Sequence, residues 1–364
     1  MDNSTNRCKI LFLMSGADPF YQELKNGEYS FLRNCGHWGY ISKYTYPNIS
    51  DEWHLGNKVK VCGNEKKYKN YKKQWEGGPA VGIKSLIYNL TTRDNFYIEI
   101  SDKIIEGFDF YYFQDTPPNL NQLTINNTKF IFSPHCVKSH KLNKNLLNNL
   151  NIQYIKWFHS YTSEHNEVAQ YYLAYPIHKT LYEKYPLKNI SNNRNKILIF
   201  TKTNCKNRNS NVMDQSKKII KYFNNNNYEC ISLGYMTGFR RTELLEAANN
   251  SCICLYLSFY DAGALAINEI TFMGCYIIGF IDNKASQKNN HSIAPVTIIK
   301  NETGEYINDF ARICDKNKDA DNYLVSGCKK VLNILKNRNF NHIEIAKKTR
   351  EYYTEDRFIE TIFT

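Results

Sequence analysis

Three short patterns that would have named a chemistry are missing from this sequence: C-x-x-C, H-E-x-x-H and G-x-G-x-x-G. Eleven cysteines, an odd number and widely spaced, do not make a disulfide framework and read more simply as buried free thiols in a reducing compartment. Cys252 and Cys254 alternate in a strand-like run, which predicts that both point into one layer. Without H-E-x-x-H or a comparable ligand cluster, zinc-dependent hydrolysis has no ligands to work with. Without the glycine fingerprint after a first strand, a dinucleotide-binding oxidoreductase is not expected. The apolar run near the N-terminus, Ile10–Met14, falls far short of the roughly 20 residues that cross a bilayer. No small-residue cleavage site follows it, so no signal peptide is expected. The expectation is a soluble, cytoplasmic protein, with peripheral membrane contact left open.

What the chain does have is an ordinary globular balance, 42% hydrophobic and 23% charged over 364 residues, enough for two cores. Asn, Lys and its 28 Tyr are overused, which an AT-rich coding bias explains for runs such as Asn224–Asn227. The net charge of +12 comes from scattered residues with one local concentration, Lys66, Lys67, Lys69, Lys72 and Lys73. That stretch fits a basic surface loop, a contact to anionic lipid or a polyanionic acceptor, or a nucleic-acid contact; nucleic acid is the least expected partner.

Apolar runs alternate with helical stretches, the signature of parallel sheets covered on both faces. The first series has strands at Lys9–Met14, Phe108–Phe113, Lys129–Phe132 and Gln153–Trp157. It has helices running from Gly77 through Leu86, at Lys138–Asn149 and at Glu164–Ala174. Residues 17–74 read as an insertion. A polar stretch around Tyr185–Asn195 marks a boundary. The second series runs strand Lys196–Phe200, helix 213–223, strand Cys230–Leu233, helix Arg241–Ala248, strand Ile253–Leu257, helix Ala264–Phe272 and strand Cys275–Phe280. Helices at 322–336 and 340–350 and a polar-aromatic tail, Tyr352–Thr364, complete it. The fold class is therefore α/β, two Rossmann-like doubly wound domains facing across a cleft. Residues 1–188 would form the first and 189–345 the second, with 346–364 a tail that packs back on the first.

The informative segment is Ser258-Phe-Tyr-Asp-Ala-Gly-Ala-Leu-Ala-Ile-Asn-Glu-Ile-Thr-Phe-Met-Gly-Cys-Tyr-Ile-Ile-Gly279. It reads as a strand, a loop of tiny residues, a helix, Gly274 and an apolar strand. Small side chains let a ligand approach the backbone, and the N–H groups of a helix start can hold a phosphate. Asp261 enters the loop, and Glu269 lies eight residues on, two turns along the helix. An ionised carboxylate offers only acceptors, which suits a pair of vicinal hydroxyls. The plainer alternative is an ordinary strand–helix–strand crossover with Glu269 facing solvent.

This segment resembles the donor-site signature of retaining glycosyltransferases of the GT-B fold. They belong to the large family four type that includes sucrose- and glycogen-synthase-like enzymes and bacterial mannosyl- and glucosyltransferases. The resemblance covers about 190–350 and the first domain only loosely. It implies that Glu269 binds the donor ribose, that Asp261 lies by the transferred sugar, and that backbone at Gly263, Ala264 and Leu265 approaches sugar and diphosphate. Asp261 stands where the family more often has Glu. Lys202 matches an Arg that neutralises the diphosphate, with Lys206 or Arg208 as the second charge. Tyr235 and Met236 match residues near the base. Gly77-Gly78-Pro79 resembles a glycine-rich helix opening near the donor phosphate. His135 matches a histidine near the sugar; His159, His165, Gln114 and Asp115 are lesser candidates.

The reaction so implied transfers a sugar from a nucleoside-diphosphate sugar to an acceptor hydroxyl with retention of configuration. The acceptor would be a glycan, a lipid-linked molecule or a protein. The nucleotide sugar is a substrate rather than a tightly bound cofactor, and no metal is required. A catalytically inactive binding or scaffolding protein of the same shape is the alternative.

Overall fold

The computed structural model describes residues 7–13, 86, 90, 93–101, 104–113, 129–132, 154–157, 169–172, 177, 179–202, 209–234, 239, 241–258, 265–281, 302–308 and 320–363. Two parallel sheets organise them. The first holds β1 (Cys8–Leu13), β2 (Phe96–Ser101), β3 (Phe110–Phe113), β4 (Lys129–Phe132), β5 (Tyr154–Trp157) and β6 (Ala169–Tyr172) in the order β2-β1-β3-β4-β5-β6. The second holds β7 (Lys196–Lys202), β8 (Glu229–Gly234), β9 (Ser251–Ser258), β10 (Tyr276–Ile281) and β11 (Gly304–Asn308) in the order β11-β10-β9-β7-β8. Every described pairing is parallel. The expected α/β class with two parallel sheets is what the chain adopts.

Helix α1 (Lys179–Lys184) and a 3-10 turn, Leu187–Asn189, lead from the first sheet to the second. The second sheet alternates with α2 (Asn209–Asn224), α3 (Arg241–Asn250) and α4 (Leu265–Phe272). Helices α5 (Ala320–Asn337), α6 (His342–Tyr352) and α7 (Glu355–Phe363) follow it. Its strands are near-continuous apolar runs because both faces are covered. Ile197, Ile199, Leu255 and Ile278 meet Ile219 and Phe223 of α2 and Leu324 and Val331 of α5. Leu198, Phe200, Tyr256 and Ile277 share the opposite core with Leu244 and Leu245 of α3 and Ala266, Ile267 and Ile270 of α4. Side chains of this size contribute about 1.5–3 kcal/mol each when fully buried.

That second core continues into the first sheet, taking in Ile10, Phe12, Phe110 and Tyr112 together with helical Leu86 and Leu90. Helix α7 provides much of the continuity. Its buried Phe358, Ile359, Ile362 and Phe363 form one face, and Phe363 meets Phe110 and Phe96 at ring distances of 5.4 and 6.1 Å. Arg93 and Asp356 pair across the same contact.

Three expectations need correction. The segment expected to be helical at Glu164–Ala174 contains β6, Ala169–Tyr172, where neighbouring aromatics favour a pleated surface. The described part of the tail, 352–363, is largely helix, because Phe358, Ile359, Ile362 and Phe363 recur at helical spacing. Cys252 and Cys254 do not share a layer: Cys252 packs with the α2 and α5 side, Cys254 with the α3 and α4 side. Ser251 pairs with Lys196 and Ile253 with Ile197, so Cys252 is the extra residue of a bulge that breaks the alternation. The six described cysteines are free. No described helix is long and apolar enough to cross a membrane. The expected insertion at 17–74, with its lysine cluster, and the expected helix at Lys138–Asn149 lie outside the described residues.

Candidate functional site

In an open parallel sheet, ligands bind beyond the carboxyl ends of the strands, where neighbouring connections leave in opposite directions. Numbered within the second sheet, the strand order is 2-1-3-4-5, which places that reversal between β7 and β9. The last residues paired there are Lys202 and Ser258. Lys202 is the sequence candidate for the diphosphate, and Ser258 opens the segment that holds Glu269; the topology puts their backbones side by side at the reversal. Helix α4 leaves the same edge, with its described start at Leu265. The helix's N–H groups and positive dipole end are thus turned toward this crevice.

Glu269 lies one turn in from Leu265 and is 2% exposed. The solvent-facing alternative for this carboxylate is therefore excluded. Asn268 and Thr271 beside it are fully buried. Burying an ionised group is costly unless it is hydrogen-bonded and paired. Three of the four positions from 268 to 271 are thus polar or charged and buried, on a helix of eight described residues. Thr271 is accounted for locally, its hydroxyl donating to the Ile267 and Asn268 carbonyls at 3.0 and 3.1 Å.

Residues that no local motif announced hold α4 from below. Arg194 donates to the carbonyls of Ala248 at 2.9 Å and Met273 at 2.8 Å, and also to those of Ser251 and Ser191. It therefore ties the ends of α3 and α4 together, and burial lowers its pKa. Arg350 of α6 lies 3.9 Å over the Phe272 ring and donates to the Tyr185 carbonyl at 2.6 Å. Burial brings its guanidinium down to about 10.

Gly274 ends α4 at φ +79°, and its carbonyl accepts from His342 Nδ1 at 2.8 Å. A carbonyl only accepts, so Nδ1 carries the hydrogen. Burial, and secondarily Arg194, lower the His342 imidazole from its usual 6.5 to about 4. Above pH 6.5 the ring is neutral in folded and unfolded chains alike. As pH falls from about 6.5 to about 4, the unfolded chain takes up a proton that the folded one refuses, so stability is lost across that window. Urea unfolding at pH 7 and pH 4.5 should show this loss in the wild type. It should show a smaller loss in His342→Asn; equal losses would contradict the assignment.

Of the remaining candidates, Asp261, Gly263, Ala264, Lys206, Arg208, Tyr235, Met236, Gly78, His135, His159, His165, Gln114 and Asp115 lie outside the described residues. Among the described residues, no group of three or more His, Cys, Asp or Glu could hold a metal ion.

No protein-family model matches the chain, and no curated protein pairs with it. Solved structures resemble it at low identity. The Candida albicans trehalose-6-phosphate phosphatase N-terminal domain gives a TM-score of 0.45 at 10% identity, covering 98% of this chain and 96% of that one. Sucrose-phosphate synthase from Thermosynechococcus elongatus gives 0.41 at 11% identity over 98% and 97%. The pneumococcal O-GlcNAc transferase GtfA in complex with UDP and GlcNAc gives 0.38 at 13% identity over 69% and 55%. The chain spans about half the length of that last protein and of TarM, 55% and 53%. Likenesses at this level assign no role to any residue of this chain.

Proposed function

We propose that this chain is a GT-B-type retaining glycosyltransferase that moves a sugar from a nucleoside-diphosphate sugar to an acceptor hydroxyl. The observation that carries the reading is the buried Glu269 carboxylate on α4, the helix that opens at the β7–β9 reversal. In this reading Glu269 accepts from the ribose hydroxyls. The diphosphate lies against the α4 start and the loop of Gly263, Ala264 and Leu265. Lys202, with Lys206 or Arg208, stabilises charge developing on the departing diphosphate. Asp261 and His135 orient the sugar, Tyr235 and Met236 flank the base, and Gly78 approaches the donor from the first sheet's side. Residues 1–188 supply the acceptor side and 189–345 the donor side, with a glycan, lipid-linked molecule or protein as acceptor.

Thermal-shift screening with UDP-, GDP-, ADP- and dTDP-sugars identifies the donor, and product analysis with the hit reports turnover. Lys202→Ala should lower turnover at least tenfold while the unfolding midpoint stays within a few degrees of wild type. Wild-type turnover in this variant would remove Lys202 from the reaction. Donor binding without any turnover or hydrolysis would favour the scaffolding alternative, in which Asp261 in place of the commoner Glu marks lost catalysis.

A further inference from the structure

Gly234, the last residue of β8, pairs with Thr201 of β7, one residue before Lys202. A β-carbon at 234 would run into the Thr201 hydroxyl, and it would lie 2.5 Å from the Thr201 carbonyl oxygen and 3.1 Å from the Thr201 β-carbon. Rotating a side chain relieves the first conflict but not the second. Any residue larger than glycine must therefore displace the Thr201–Lys202 peptide or the end of β8. Thr201 has little room to yield: it is 2% exposed, and its other neighbour in the sheet is the fully buried Leu257. The parts that can give are the β7 end, where Lys202 pairs with Ser258, and the end of the edge strand β8.

We propose that Gly234 is a positioning residue for the donor diphosphate. Its missing side chain lets β8 close on Thr201 and so holds the backbone from which Lys202 is delivered. The proposal rests on the donor-site reading above. It predicts that the diphosphate contribution falls by more than the nucleoside contribution, because the pentose contact at Glu269 is made from a different element, although Tyr235 and Met236 adjoin Gly234.

The test is calorimetric binding of UDP, GDP, ADP and dTDP and of the parent nucleosides uridine, guanosine, adenosine and thymidine. For the nucleotide that wild type binds, the ratio of nucleoside to diphosphate Kd measures the diphosphate contribution. Gly234→Ala should lower that ratio tenfold or more, whatever it does to the nucleoside Kd through the neighbouring Tyr235 and Met236; an unchanged ratio in the folded variant would overturn the proposal. Thr201→Val keeps the side-chain shape and should leave the ratio at its wild-type value; a tenfold loss there would overturn the steric account in favour of the hydroxyl. Should Gly234→Ala fail to fold, Thr201→Leu crowds the same contact from β7 and should lower the ratio likewise; an unchanged ratio is again decisive against it. If wild type binds none of the four diphosphates, or Glu269→Ala binds them as tightly as wild type, the donor-site reading itself fails, a result separate from the Gly234 outcome.

Discussion

Glu269→Ala should weaken binding of the donor nucleotide by several-fold to a hundredfold, up to about 2.7 kcal/mol, while the protein still folds. The size follows from the geometry. In the donor-site reading the Glu269 carboxylate, buried in the free protein, accepts hydrogen bonds from the ribose hydroxyls, and a hydrogen bond to a charged group is worth about 1.5–3 kcal/mol. Acting on vicinal hydroxyls, it should also make the wild type prefer a ribonucleotide over the 2′-deoxy analogue. That preference should disappear in Glu269→Ala. Calorimetry with UDP and dUDP, or the corresponding pair for the base that binds, gives both numbers. Equal affinities of wild type and variant would show that Glu269 is buried for packing alone. Glu269→Gln keeps the shape and one acceptor, and should fall between the two.

Gly274→Val should cost about 4 kcal/mol or more and lower the unfolding midpoint by many degrees. At φ +79° a β-branched residue is strained before any contact is counted. A β-carbon there would also overlap the His342 carbonyl oxygen and crowd the Arg194 guanidinium at 3.1 Å. The conflict is with the backbone at the start of α6, so it cannot be relieved by a rotamer change. Moving α6 in turn disturbs Arg350, which packs on Phe272, and the Arg194 bonds at the end of α4. Losses of this size are rare and point to a named structural cause. Denaturant unfolding checks the figure; a loss under about 1 kcal/mol would mean that α6 is not seated as described.

The second sheet was largely legible because strands covered on both faces carry their burial in every residue: β7, β9 and β10 are near-continuous apolar runs. The edge strands β2 and β11 were not anticipated. Each is short, and acids interrupt the apolar pattern in Phe96-Tyr-Ile-Glu-Ile-Ser101 and Gly304-Glu-Tyr-Ile-Asn308. Strand β6 was read as helix because a brief apolar-aromatic run has no period long enough to decide. At the site, the small-residue loop and the acid on the following helix could be seen from spacing, whereas the burial of Glu269 could not. Arg194, His342 and Gly234 left no local signature. Their roles come from pairing residues 33 to 79 positions apart, such as Thr201 with Gly234 and Arg194 with Met273, and only the folded chain makes those pairs.

A crystal structure with the nucleoside diphosphate identified by screening would bear most directly on the donor-site reading. The diphosphate should lie beyond the ends of β7 and β9, against the start of α4, with both ribose hydroxyls within hydrogen-bond distance of the Glu269 carboxylate. A nucleotide bound away from that edge, or there with its ribose turned from Glu269, would contradict the reading.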